Sequence, residues 1–174
     1  MVKVRGEAPE TRDEHTACYF EPESSMIIFG GFMKGVRTND IDKFLFQENR
    51  WVKVNATGAR PSPRSGHASV IHQSSMWVFG GKDDDNRKLN DLWRFDLGTN
   101  VWQQIKMEPN NVPTERSGHS MEVFEGQYLL IFGGIYEITK ELNDLHMFDL
   151  TKKKWITVFE ESNSPNRLGR EASP

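Results

Sequence analysis

The chain has 174 residues, a net charge of -3, 36% hydrophobic and 27% charged residues. That is enough chain for one domain with a sizeable core, and no apolar run approaches the roughly 20 residues that a spanning helix needs. The charge implies no broad basic surface, which disfavours nucleic acid as a partner, and the 11% aromatic content argues against a disordered chain. The lone Cys18 excludes an internal disulfide framework and fits a reducing compartment. Residues 1–15 lack the apolar segment of a secretory signal, so the expected location is cytoplasmic.

In chain order, Met1-Val2-Lys3-Val4 matches Trp51-Val52-Lys53-Val54, so residues 1–11 read as the end of a preceding unit. Three copies of one unit follow, at 12–63, 64–115 and 116–166. Gly-Gly pairs at 30–31, 80–81 and 133–134, tryptophans at 51, 102 and 155, and histidines at 15, 67 and 119 share a spacing of 50 to 53 residues. Each copy begins with Arg (RDEHTACYF, RSGHASVIH, RSGHSMEVF), predicting a strand A. A short apolar run follows (MIIFGG, MWVFGG, LLIFGG), predicting a strand B buried on both faces and ending at the glycines. Asn-Asp then introduces a strand C that carries Phe44, Phe95 or Phe148, and a turn leads to strand D, which opens at the Trp 12 residues after the Asn. Residues 167–174 read as the start of a further strand A. Sustained helical periodicity is absent, so the chain reads as all-β.

The repeated residues have structural readings. The glycines suit a sharp strand exit, since no phosphate-loop signature accompanies them. Each Trp can pack on a neighbouring sheet, and each His is expected to bond within its own unit. Single units could not bury their faces alone.

The order R-S-G-H, apolar strand with Gly-Gly, L-N-D-L-x-x-F-D-L and Trp resembles the kelch repeat over nearly the whole chain. The wording is similar to that of leucine-zipper-like regulators, host cell factor and Rab-effector kelch proteins. The resemblance implies a β-propeller of four-stranded antiparallel blades. Propellers have about four to eight blades, so three imply an arc of a larger ring, either a piece of a longer protein or a chain that self-associates through open blade faces. It also implies a protein-interaction module with no cofactor, which binds another protein or peptide, not a membrane, through its D-to-A and B-to-C loops. The implied contact residues are Arg12, Arg64, Arg116, Ser65 and Ser117, with the first copy departing at Asp13-Glu14.

The B-to-C loops vary most between copies. Asp83, Asp84 and Asp85 with Arg87 suggest a recognition loop for a basic or mixed-charge peptide. Phe32, Arg37 and Tyr136 are further candidates. Lys152, Lys153 and Lys154 read as a solvated turn. Two other readings carry their own sequence requirements. A ubiquitin-ligase substrate receptor would need an adaptor-binding segment. A metal-dependent enzyme would need ligands such as E-x-x-x-D-x-x-x-H, yet Glu137 is followed by Glu141 and Leu145 at those positions, and Cys18 and Tyr19 are adjacent on one strand with opposite faces. The chain therefore reads as non-enzymatic.

Overall fold

The computed structural model describes residues 3–108, 110–138 and 140–160. In the first blade β1 (Thr16–Phe20) and β2 (Ser25–Phe29) form a hairpin. A small two-stranded hairpin follows, β3 (Phe32–Met33) and β4 (Val36–Arg37), and then β5 (Ile41–Leu45) and β6 (Arg50–Lys53). β7 (Thr57–Gly58) lies in the connection to the second blade, which comprises β8 (Ala68–His72), β9 (Ser75–Lys82), β10 (Lys88–Asp96) and β11 (Val101–Gln104). The third blade comprises β12 (Ser120–Phe124), β13 (Tyr128–Ile135), β14 (Glu141–Asp149) and β15 (Lys154–Phe159). Each blade is an antiparallel meander in the order A-B-C-D. The only helical turn among the described residues is the 3-10 segment Glu21–Glu23.

Two cores lie between the blades rather than inside them. Ile27, Phe29 and Ile41 from the first sheet meet Met76, Val78, Trp93, Phe95 and Trp102 from the second. Ala68, Phe79, Leu92 and Ile105 on the far side of that second sheet meet Met121, Leu129, Ile131, Phe148 and Trp155 from the third. Side chains alternate across a strand, so β9 sends Met76 and Val78 one way and Phe79 the other, buried on both faces as its apolar run predicted. The tryptophans bridge blades: Trp102 lies 5.0 Å from Phe29, and Trp155 lies 5.2 Å from Phe79. Such aromatic pairs add about 0.5–1.5 kcal/mol each beyond their buried area.

Two details differ from expectation. β9 and β13 continue through their Gly-Gly pairs instead of stopping there, with a register shift opposite each pair. The glycines make this possible, because Gly80 and Gly81 have φ of +65° and +97°, and a Cβ on Gly81 would sit 2.8 Å from the Ser65 carbonyl oxygen. The second blade also gains a fifth strand, since β7 pairs in parallel with β11. Arg5 makes a similar parallel bridge to Arg50 in the first blade. These connections cover the outer edge of strand D, which would otherwise present unpaired backbone groups. The predicted start of a further blade at 167–174 lies outside the described residues.

Candidate functional site

The repeated arginines sit at the entry to each blade, and their surroundings correct the expectation that all of them meet a partner. Arg64 and Arg116 are 0% exposed. Arg64 donates to the Gly80 carbonyl at 3.0 Å and makes a bidentate pair with Asp91 at 2.7 and 2.8 Å. Arg116 repeats this with the Gly133 carbonyl at 3.0 Å and with Asp144 at 2.6 and 2.7 Å. Each Nε also donates to the carbonyl two residues back, at Ser62 or Thr114. Every direction of the planar guanidinium is thus used inside the blade. Trp93 Nε1 and His146 Nε2, two residues beyond the aspartates on the same strand face, bond the Oδ2 atoms of Asp91 (2.6 Å) and Asp144 (2.7 Å). Burial raises both carboxyl pKa values, but the hydrogen bonds from arginine, with those from Trp93 and His146, outweigh it and hold them below the usual carboxylate range.

The first blade carries a looser version. Arg12 donates to the Gly30 carbonyl at 3.1 Å and approaches Asp42 only at 3.6 Å. Asp42 stands where Trp93 and His146 stand in the other blades. Its pKa is raised, because burial prevails over the Arg12 charge. The Arg side chain is 4% exposed here too, so Arg12, Arg64 and Arg116 act as latches from strand A to strand C. A separation of 27, 26 and 27 residues from each Arg to its Asn-Asp pair is the signal in the sequence that marks this role.

His67 and His119 do not bond within their own blades as expected. They face the preceding one. His67 Nε2 lies 2.9 Å from Thr16 Oγ1, and its ring stacks edge-on to Phe29. His119 packs the same way on Phe79, but Ala68 stands where Thr16 would be, and neither of its ring nitrogens has a hydrogen-bond partner. Burial lowers both pKa values to about 3, with the nearby Arg64 or Arg116 charge adding to it. Cys18 Sγ likewise turns to the next blade, 3.2 Å from Ser69 Oγ, and burial raises its thiol pKa. Tyr19 points to the opposite side, against Phe46. Among the described residues no group of three His, Cys, Asp or Glu side chains converges in a way that could hold a metal.

The remaining predicted residues gather at the B-to-C loop end. Arg37 donates from Nε to Ser65 Oγ at 2.9 Å and from Nη2 to Asn86 Oδ1 at 2.7 Å, while its backbone N–H donates to Asp84 Oδ1 at 2.9 Å. Its guanidinium lies over the Phe32 ring, 5.4 Å from the centroid. Ser65 Oγ in turn donates to Glu14 Oε2 at 2.6 Å, and Lys82 donates to Glu14 Oε1 at 2.9 Å. Phe32, Arg37, Ser65 and Asp84 are therefore brought together, but largely satisfied by one another. Arg87 and Tyr136 instead line a cleft of about 980 Å³ between the B-to-C loops of the second and third blades, with Lys82, Lys88, Glu115 and Ile138. Ile138 is 97% exposed. Ser117 lies at the seam below, mostly buried. Lys82 and Lys88 lie in the same B-to-C loop as Asp83, Asp84 and Asp85, and Glu14 belongs to the departure of the first copy, but the pairing of Glu14 with Lys82 across the seam could not be read from the sequence. The one available signal was Glu14 itself, an acidic residue where the other copies have glycine.

Stacked four-stranded antiparallel sheets, each buried against the next and joined at the outer strand, form an arc of propeller blades. Over residues 1–173 the chain matches a family model described as KLHDC2/KLHL20/DRC7 Kelch-repeats domain. The chain belongs to the kelch-repeat family, whose domains are generally protein-interaction scaffolds. It is 31% identical over 183 residues to the leucine-zipper-like transcriptional regulator 1 homolog of Drosophila melanogaster, covering 97% of this chain and 17% of that protein. It is 33% identical over 156 residues to the Rho GTPase-activating protein gacHH of Dictyostelium discoideum, covering 86% of this chain and 10% of that one. It is 35% identical over 115 residues to acyl-CoA-binding domain-containing protein 5 of Arabidopsis thaliana, covering 66% and 17%. The chain thus spans less than a fifth of the length of each of these relatives.

Proposed function

We propose that this chain is a protein-binding module that engages a protein or peptide partner at its B-to-C loop end, chiefly in the cleft between the second and third blades. One observation carries this reading. Residues that recur in every copy, the Arg latches and glycines, are used up inside the scaffold, whereas those lining the cleft differ from copy to copy and face solvent. A repeated frame with varied, exposed loops is how such scaffolds acquire a partner. Tyr136 and Ile138 supply apolar contact area, and Lys82, Arg87 and Lys88 supply charge. Affinity capture with the purified chain tests this. Ile138→Asp should lose the proteins retained by the wild type, and Lys152→Glu at the opposite end should keep them. The reverse pattern would move the site to the other end.

A second reading concerns self-association with another copy. In the third blade Phe132 and Val158 occupy the positions of Phe29 and Val54, which pack on the second blade, yet they are 52% and 51% exposed. The geometry of each internal seam offers a template for one copy stacking on the next in head-to-tail fashion. Light scattering of the purified chain should give a mass that rises with concentration and falls back toward one chain in a Phe132→Ser, Val158→Ser double variant. A wild-type mass of one chain at every concentration counts against this.

A further inference from the structure

The seam between the second and third blades carries another cleft at the end remote from the B-to-C loops, where the A-to-B and C-to-D turns meet. Its volume is about 370 Å³. Trp77 and Ile105 form an apolar wall, and Arg94, Gln103, Gln127 and Lys153 bring nitrogen donors to it. Among the described residues no Asp or Glu lines this cleft. Asp96 and Asp149, in the flanking C-to-D turns, are engaged by those turns. Asp96 Oδ1 accepts from the Gly98 and Thr99 N–H groups, and Asp149 Oδ1 accepts from those of Thr151 and Lys152.

At the first seam the equivalent places are apolar or neutralised. Phe20 and Val54 pack against the core there, where the second seam has His72 and Ile105, and Val52 stands where the second seam has Gln103. Lys43, the counterpart of Arg94, lies 2.7 Å from Glu23 Oε2, a residue of the first A-to-B turn. That turn has four residues, Glu21–Ser24, whereas the second blade has only Gln73 and Ser74 and no such carboxylate. Arg94 instead donates from Nε to Ser75 Oγ at 2.8 Å and from Nη2 to Asp96 Oδ2 at 3.3 Å, and among the described residues its Nη1 has no hydrogen bond. Lys153 adds a second observation. Its φ is +54°, and Asn49 and Asn100 hold the same place at +49° and +57°. Asparagine tolerates this left-handed backbone and lysine is disfavoured in it. Its neighbours Lys152 and Lys154 pair with Asp149 and Glu108, but among the described residues Lys153 has no ion pair. A strained, unpaired lysine at a cleft is the kind of feature retained for function.

We propose that this cleft binds a small phosphate monoester, whose phosphoryl oxygens accept hydrogen bonds from Arg94 and Lys153 while its organic body lies on Trp77. Two cations with no lining carboxylate suit a dianion better than a single negative charge, and guanidinium and ammonium donors form the strong, charge-assisted bonds of phosphate sites. The side-chain amides of Gln103 and Gln127 supply donors for the remaining oxygens. The volume falls at the lower end of the roughly 300–1,000 Å³ of small-molecule sites. That size fits a free small molecule better than a phosphorylated chain segment, and a concavity between two blades does not match a flat bilayer. Because the cleft lies at the opposite end from the B-to-C loops, a partner held by those loops leaves it open.

Titration calorimetry of the whole chain with phenyl phosphate, phenyl sulfate and inorganic phosphate tests it, at about pH 7.5, where a phosphate monoester is dianionic. Phenyl phosphate should bind about tenfold or more tighter than phenyl sulfate, which has the same ring and one charge fewer, the scale of a charged hydrogen bond. It should also bind more tightly than inorganic phosphate, which has no ring to lie on Trp77. Lys153→Asn should weaken phenyl phosphate about tenfold by the same arithmetic. The melting temperature of that variant should hold or rise, since asparagine already occupies this backbone conformation in the other two blades. Lys152→Asn removes the same charge one residue away, outside the cleft lining, and should bind as the wild type does. Equal affinity for phenyl phosphate and phenyl sulfate, or equal losses in Lys152→Asn and Lys153→Asn, would overturn the site, and so would no measurable binding at millimolar phenyl phosphate. Equal affinity for inorganic phosphate would overturn the ester. A phosphoserine octapeptide that binds about tenfold tighter than phenyl phosphate would overturn the small-molecule ligand in favour of a phosphorylated protein. Flotation with anionic phospholipid vesicles in the absence of phenyl phosphate binding would overturn it in favour of a membrane.

Discussion

Asp144→Ala is expected to destabilise the protein by about 3–5 kcal/mol, the scale of breaking a buried, hydrogen-bonded ion pair. Against a total folding free energy of about 5–15 kcal/mol, that removes most of the margin. The variant leaves the fully buried Arg116 guanidinium with only the Gly133 and Thr114 carbonyls, and His146 Nε2 loses its 2.7 Å partner. Asp91→Ala in the second blade should behave alike, through Arg64 and Trp93. Asp42→Ala should cost clearly less, because the Arg12 contact is 3.6 Å and burial already works against the Asp42 charge. The exposed Arg87–Asp85 pair supplies the control, and Asp85→Ala should fall within about 0.5 kcal/mol of the wild type. Urea unfolding followed by tryptophan fluorescence gives the order. If Asp144→Ala unfolds at the same urea concentration as Asp85→Ala, the latch reading fails.

Acidification should unfold the protein before its carboxylates titrate. His67 and His119 have pKa values lowered from 6.5 to about 3, chiefly by burial between blades. The unfolded chain therefore takes up protons below about pH 6.5 that the folded chain refuses until about pH 3. Each histidine then removes about 1.4 kcal/mol of stability per pH unit across that window, so the pair removes about 2.7. The stability from these histidines is complete above the window and lost as pH falls through it. Asp91 and Asp144, whose pKa values are lowered, add loss in the same direction, but only below the normal carboxylate range. Urea midpoints measured between pH 7 and 4 should decline from about pH 6.5 in the wild type. The decline should be roughly halved in His67→Gln or His119→Gln, since each removes one of the two titrating groups. Ala68→Ser should stabilise at pH 7 by up to about 1 kcal/mol by giving His119 the hydroxyl that Thr16 gives His67. A flat profile down to pH 5 would show that the rings protonate freely in the folded state.

Both expectations concern residues at positions that the sequence repeats, and repetition can be read only so far. The period, the all-β class, the kelch resemblance and the bridging tryptophans were legible, because apolar strands and turn residues announce themselves locally. The arginines were legible as landmarks but not as latches. A guanidinium at the mouth of a blade suggests a ligand until its partner is located, and Asp91 and Asp144 lie 27 and 28 residues away along the chain. His67 and His119 were misassigned for the same reason, since their surroundings come from the preceding blade.

The loop end divides in the same way. Sequence variation alone pointed to Phe32, Arg37, Asp84, Arg87 and Tyr136, but it could not separate residues that satisfy one another from residues that line a cleft. That separation depends on the seam between blades, where a residue's neighbours lie about one repeat away. The amino-acid sequence by itself determined the unit, its strands and its number of copies, because these follow from short-range alternation and turn chemistry. Only the tertiary structure decided that Glu14 and Gly66 hold equivalent places at successive seams, because the hydrogen bonds that make the two positions equivalent run between blades and not along the chain.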